Sequence, residues 1–367
     1  MSLQKKTMPD VILMVVTFLL LTIGMIMVYS SSAIWANYKF EDPFYFLKRQ
    51  LLFTLFGIVF MIGMMNIPYL FWKTKAKFLL LICFSLLLIV LIPGVGLVRG
   101  GARSWLGIGA FSIQPSEFMK LAMIFFLAYY LSISQQKIQS FYKGLFPPLA
   151  ILFFAFGLIM LQPDLGTGAV MVMTCMLMLY IGGAKTSHFM VLIGIGVAGF
   201  IGLILSAPYR IKRITSFLDP WQDPLGSGFQ IIQSLYAIGP GGLLGLGLGQ
   251  SRQKFYYLPE PQTDFIFAIV SEELGFIGGA FVLLLFAILF IRGMRIALLA
   301  PDSFGTFLAI GIISMVAIQV IINIGVVTGL FPVTGITLPL MSYGGSSLTL
   351  MLGAIGILLN ISRYAKV

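Results

Sequence analysis

Asp264 is the residue of this chain best suited to moving a proton. It closes the polar stretch LPEPQTD, residues 258–264, and opens an apolar run that carries Glu272 and Glu273 deeper in the same predicted helix. Thr263 reads as the helix N-cap with Asp264 in the first turn, a position that would hold the carboxyl ionised and make it less basic. The bland explanation of such an acid is the helix dipole, worth about 0.3–1 kcal/mol. Carboxylates at the edge of hydrocarbon are costly, however, and mark functional sites. The single histidine, His188, excludes Ser-His-Asp triads, HExxH sites and any site needing several histidine ligands. Proton transfer therefore falls to carboxylates, lysine or tyrosine. Cys83 and Cys175 sit inside apolar runs and read as buried hydrophobes.

Four further stretches offer groups that can meet a polar substrate. In GGARSWLGIGAFSIQPSEFMK, residues 100–120, Ser116 reads as an N-cap and Glu117 and Lys120 share a helix face at i,i+3. That pair either neutralises two charges in lipid or faces a cavity. Arg103 upstream suits a phosphate or sugar contact. In QPDLGTG, residues 162–168, Asp164 caps the next helix in a tight turn and can line the same cavity. The long loop 207–263 carries Arg210, Lys212, Arg213, Arg252 and Lys254 and a glycine run over 239–249. The run lacks the Gly-Lys-Ser/Thr of a P-loop and a GxGxxG after a strand, which excludes a nucleotide site. Its N–H groups, with Arg252, either cradle a diphosphate or let the loop pack closely on helices. In PLMSYGGSS, residues 339–347, Ser342 and Ser346 suit either anion binding at a helix N-terminus or close helix packing.

The elements that position these residues are membrane helices. Hydrophobic residues make up 59% of the chain and charged residues 10%, and the mean hydropathy is +1.03, outside the range of soluble domains. Apolar runs of crossing length fall at 11–33, 46–66, 77–93, 117–133, 145–162, 166–183, 187–206, 264–291, 304–330 and 341–361. The prediction is an all-α polytopic membrane protein, one domain over 1–367, with about ten transmembrane helices and the long loop 207–263 between the seventh and eighth.

Charge sets the orientation. The net charge of +11 comes from cations scattered singly between apolar runs, without the basic stripe of a nucleic-acid-binding domain. Twelve Lys and Arg residues fall on the side of the N-terminus and five in the short loops of the other side. The positive-inside rule makes the former cytoplasmic, with both termini. Ten of the twelve acids lie on, or enter the membrane from, the opposite face. The working face is then extracellular, where no ATP is available and the substrate must bring its own activation.

The motifs ARSW, QPSE, QPDLGTG, DPLGSGFQIIQS, LPEPQTDFIF, EELGFIGG and PLMSYGGSS run in order along essentially the whole chain. Together they resemble the SEDS family (RodA, FtsW and SpoVE), with the short termini and PYRIKRITSFLDPWQDP closest to the sporulation and division branches. The resemblance implies a peptidoglycan glycosyltransferase of the bacterial cytoplasmic membrane that polymerises lipid II on the outer face. It puts the family's essential aspartate at Asp264 and Arg103, Glu117, Lys120 and Asp164 around the lipid-linked substrate. It also implies a partner, a class B penicillin-binding protein that cross-links the new glycan. Inverting displacement of a prenyl diphosphate needs one base, Asp264, and charge on the leaving group. Arg210, Arg213, Arg252 or a divalent cation (Mg or Mn, with Asp264 as a candidate ligand) can supply that charge; no nucleotide, haem or zinc is expected. The rival readings are a lipid II flippase, which needs polar groups along the full membrane depth, and a scaffold for the transpeptidase.

Overall fold

The computed structural model describes residues 8–99, 102–108, 111–205, 217–226, 228–255 and 258–365. Helices α1 (Val11–Phe40), α2 (Tyr45–Asn66) and α3 (Leu70–Leu91) lead into short antiparallel strands β1 (Leu97–Arg99), β2 (Ala102–Ile108) and β3 (Phe111–Ile113). There follow α4 (Pro115–Ser134), α5 (Phe146–Met160), α6 (Leu165–Ile181), α7 (Thr186–Leu205) and, within the long loop, α8 (Phe229–Gly241). Helices α9 (Ile266–Leu298), α10 (Ser303–Val327) and α11 (Gly345–Ser362) complete the chain. Eight helices of the described residues are long and apolar enough to cross a membrane. Predicted spans six and seven correspond to α6 and to Thr186–Gly199 of α7, which are shorter apolar helices.

Three predicted boundaries move outward by about two turns. Helix α1 runs to Phe40, α3 starts at Leu70 and takes in Lys73 and Lys75 ahead of the predicted start at residue 77, and α9 continues to Leu298. Each extension adds polar or cationic residues that hydropathy discounts. Their long side chains reach water from a helix end while the stems cover apolar surface.

Side-chain bonds sort the helix ends into two sets. At the end near both termini, Arg292 donates to Asp10 Oδ2 from Nε (2.9 Å) and Nη2 (2.6 Å). The Asp10 N–H donates to Ser362 Oγ at 3.0 Å. Asn360 accepts from the Tyr69 N–H and donates to the Met65 carbonyl, and the Tyr69 hydroxyl donates to Asp302. At the other end, Gln50 of α2 donates to the Ser342 carbonyl at 3.1 Å. Asn323 of α10 donates to the carbonyls of Asp264 and Ile336, both at 2.7 Å. Helices α10 and α11 form the centre, the most buried of the long helices.

Helix α9 is broken at Gly275, where φ is +66° and ψ −165°, a region open essentially to glycine alone. The glycine run closes the break. Phe276 and Ile277 donate to the carbonyls of Gly242 and Leu243, and Leu246 and Gly247 donate to those of Glu272 and Glu273. A Cβ on Gly241 would meet the Ser271 carbonyl oxygen at 2.0 Å, and one on Gly245 the Glu273 carbonyl oxygen at 2.2 Å. The glycines are there for contact between backbones. Of the two readings open to the sequence, close packing is the one this contact supports, with the N–H groups of Gly245, Leu246 and Gly247 engaged by backbone carbonyls.

Candidate active site

A cavity of about 590 Å³ opens at the end of the bundle away from the termini. Its walls come from α2, the strands, α4, the turn before α6, the segment before α9, α10 and the entry to α11. Glu117, Lys120, Asp164, Asp264 and Ser346, all expected at a substrate site, line it together.

Lys120 Nζ lies 2.8 Å from Glu117 Oε1, with side chains 3% and 11% exposed. The i,i+3 pairing is as expected, and both groups reach the cavity. Asp164 caps α6 by accepting from the Thr167 N–H at 3.1 Å. Its Oδ2 also accepts from Gln114 Nε2 at 2.7 Å and Ser116 Oγ at 3.0 Å. Ser116 therefore does not cap α4. The N-cap is Gln114, Pro115 takes the first turn, and the serine hydroxyl crosses to the α5–α6 turn. Proline at the start of a helix is preorganised for that position, which displaces the boundary by two residues.

Asp264 also stands elsewhere than expected. Helix α9 begins at Ile266, and Phe265 is its N-cap, without a side-chain cap bond. Asp264 precedes the helix instead of sitting in its first turn, and Thr263 caps nothing. Thr263 Oγ1 lies 2.8 Å from the Glu260 carbonyl and 3.0 Å from Asp264 Oδ1. Burial pushes the Asp264 pKa up to about 6; the Thr263 hydrogen bond and a backbone bond oppose the shift, and the Glu260 charge adds to it. The expected loss of basicity is thus reversed, because desolvation acts where the helix dipole was expected to.

Other predicted residues stand apart from the cavity. Arg103 is in β2, and its stem packs over Gly96. Arg252 uses its N–H to bond Glu272 Oε1 at 2.8 Å. Ser342 accepts the Leu338 N–H and lines a separate small pocket with Pro339. Arg210 and Arg213 lie outside the described residues. Glu272 and Glu273 are buried and structural. Ser251 Oγ donates to Glu272 at 2.5 Å, while Ser30 and Lys254 bond Glu273 at 2.7 and 3.2 Å.

Sequence reasoning missed Arg49, Gln114, Glu260 and Gln319, all of which line the cavity. Arg49, which the sequence presents only as a topology-setting cation, holds its guanidinium 4.4 Å over the Tyr45 ring. The aromatic residue four positions earlier is the available signal. Among the described residues no three His, Cys, Asp or Glu side chains gather to cage a metal ion. Magnesium is commonly held by one or two carboxylates plus substrate phosphate oxygens, and Asp264 with Glu260 offers that sparser donor set.

The fold and site define a class: a multi-pass helical membrane protein with an acid-lined cavity at one end of its bundle. The model of the FtsW/RodA/SpoVE family, described as cell cycle proteins, matches residues 11–367. The chain is 69% identical over 362 residues to stage V sporulation protein E of Bacillus subtilis, covering 99% of both. It is 42% identical over 366 residues to the probable peptidoglycan glycosyltransferase FtsW of Geobacter metallireducens, covering 100% of this chain and 98% of that one. Among solved structures it resembles a chain from a peptidoglycan synthase complex that coordinates polymerization and crosslinking. There the TM-score is 0.82 at 29% identity, over 98% of both chains. The rod shape determining protein RodA of Thermus thermophilus matches with a TM-score of 0.73 at 27% identity, over 98% of both. The chain belongs to the FtsW/RodA/SpoVE family.

Proposed function

We propose that this peptidoglycan glycosyltransferase polymerises lipid II into β-1,4-linked strands, with Asp264 as the general base. The observation that carries the reading is the placement of Asp264 in the cavity wall with Glu117, Lys120 and Asp164, where burial raises its pKa to about 6. At neutral pH it is ionised yet far more basic than an ordinary aspartate, the compromise a general base needs.

Asp264 takes the proton of the acceptor hydroxyl as that oxygen attacks the anomeric carbon. The bond to the prenyl diphosphate breaks on the opposite face, inverting α to β, and the diphosphate leaves with the electron pair. One displacement suffices, because lipid II carries its own activation. Arg49, on the cavity wall, and the loop cations Arg210 and Arg213 stabilise the leaving charge. Lys120 is neutralised by Glu117 and orients the substrate, as does Asp164 through Gln114 and Ser116. Where a magnesium or manganese ion takes part, Asp264 and Glu260 would hold it, and it would add charge for the diphosphate.

The cation asymmetry puts both termini in the cytoplasm and the cavity at the extracellular face of the bacterial membrane. A class B penicillin-binding protein is the partner that cross-links the product. The setting is cell-wall synthesis at the division septum or in the spore cortex. The test is glycan polymerisation from lipid II by the purified chain, with and without the transpeptidase and a divalent cation. Strand formation in at least one condition is expected; its absence from all, with folded protein, overturns the proposal.

A further inference from the structure

Gln319 and Thr334 are two cavity-lining polar groups to which the mechanism gives no task. Gln319, on α10, is 4% exposed and lines the cavity, yet its carboxamide has no hydrogen-bond partner among the described residues. Thr334 repeats the pattern, for it lines the same cavity and its buried hydroxyl is unpartnered. Leaving a buried hydroxyl such as that of Thr334 unpaired is costly, and in native proteins it calls for an explanation.

Asn323 fixes where they stand relative to Asp264. It lies four residues after Gln319 on the same helix, so the two side chains share a face, about 5–6 Å apart at Cβ. Asn323 Nδ2 grips the carbonyl of Asp264 and that of Ile336, two residues beyond Thr334. Gln319 is thus one helical turn from the anchor of the proposed base, and the backbone that carries Thr334 is tied to the same anchor.

The charged groups nearby do not account for the pair. Lys120 and Glu117 satisfy each other, and Asp164 already accepts from Gln114, Ser116 and Thr167. Gln319 and Thr334 offer an amide and a hydroxyl, which suit a neutral ligand group with both a donor and an acceptor. Either flip of the Gln319 amide presents N–H and C=O toward the cavity. The closest chemical complement is another amide. In a lipid-linked amino sugar an acetamido group sits at C2, one bond from the anomeric carbon that is attacked, so a group reading it must lie beside the reaction centre.

We propose that Gln319, with Thr334, recognises the acetamido group of the diphosphate-linked sugar, making Gln319 a specificity-determining residue. The inference rests on the glycosyl-transfer reading above. The experiment compares kcat/KM of the full chain with its transpeptidase partner for lipid II and for lipid II N-deacetylated on the diphosphate-linked sugar. Both serve as donors to one acceptor. Wild type should favour the acetylated donor at least about tenfold, since a site built to hydrogen-bond an amide rejects the analogue lacking it. Gln319→Met should bring that ratio close to one by slowing the acetylated donor, while the acid limb near pH 6 stays in place. Thr334→Val should reduce the ratio in the same sense and decides the matter if the first variant does not fold. A ratio unchanged in the variants, or both donors slowed in proportion, overturns the assignment and leaves Asp264 untouched. If wild type couples no lipid II at all, the glycosyl-transfer reading fails and this inference falls with it.

Discussion

Asp264 works through a balance of three influences, and each can be shifted separately. Its carboxyl is raised to about 6 by burial, held back by Thr263 and pushed further by Glu260. A base must be ionised, so glycan synthesis should fall about tenfold per pH unit below pH 6. Thr263→Val removes a bond that favours the carboxylate, raises the pKa and moves that acid limb to higher pH. Glu260→Gln removes a neighbouring negative charge and moves it lower. Initial rates against pH check both signs, and limbs that do not move would separate Asp264 from proton transfer. Lys120 makes a second prediction at this scale. Glu117→Gln leaves a buried ammonium without its counter-ion and should destabilise the protein by about 3–5 kcal/mol. The double replacement Glu117→Gln with Lys120→Met should recover much of that loss. Thermal unfolding in detergent reads both.

Among the elements, the break in α9 and the glycine run that fills it form one unit. Gly245→Ala puts a Cβ 2.2 Å from the Glu273 carbonyl oxygen at a φ of +80°, a strained conformation costing about 1–3 kcal/mol before the clash is counted. Gly239→Ala meets nothing within 4 Å, and as a helical position it should be neutral or stabilising. A thermal shift that does not separate the two substitutions would contradict the clasp. Such pairings explain what is legible in the sequence. The Glu117–Lys120 pair and the Asp164 cap depend on residues three apart, and local spacing reveals them. The use of the glycine run depends on the helix break at Gly275, so composition admits either phosphate binding or packing. The starts of α4 and α9 differ from expectation because capping logic, applied to Ser116 and Thr263, considers only the helix that follows each residue. The Ser116 hydroxyl turns instead to Asp164 in another element, and the Thr263 hydroxyl turns back to the Glu260 carbonyl. Gln319 and Arg49 escape notice on similar grounds, since an apolar helix sequence does not say which face borders a cavity.

For the whole molecule, the two ends of the bundle do different things. One end is tied shut by Asp10, Arg292, Ser362, Tyr69 and Asp302, while the cavity and its carboxylates belong to the other. A carrier would need polar groups along its full depth. Here the central helices α10 and α11 are lined mainly by apolar side chains below Gln319. Orientation can be tested with the native cysteines in place, since Cys83 and Cys175 are buried. Leu225→Cys, at a site 89% exposed beyond α7, should react with an impermeant maleimide on intact cells. Tyr142→Cys, at a site 81% exposed between α4 and α5, should react only after permeabilisation. The reverse pattern would turn the cavity to the cytoplasm. The most direct test of the proposed chemistry is the rate of lipid II polymerisation by purified Asp264→Asn, with unfolding temperature and partner binding matched to wild type. Near-complete loss of strand formation is predicted. Polymerisation at a rate close to wild type would contradict Asp264 as the base and with it the mechanism built on it.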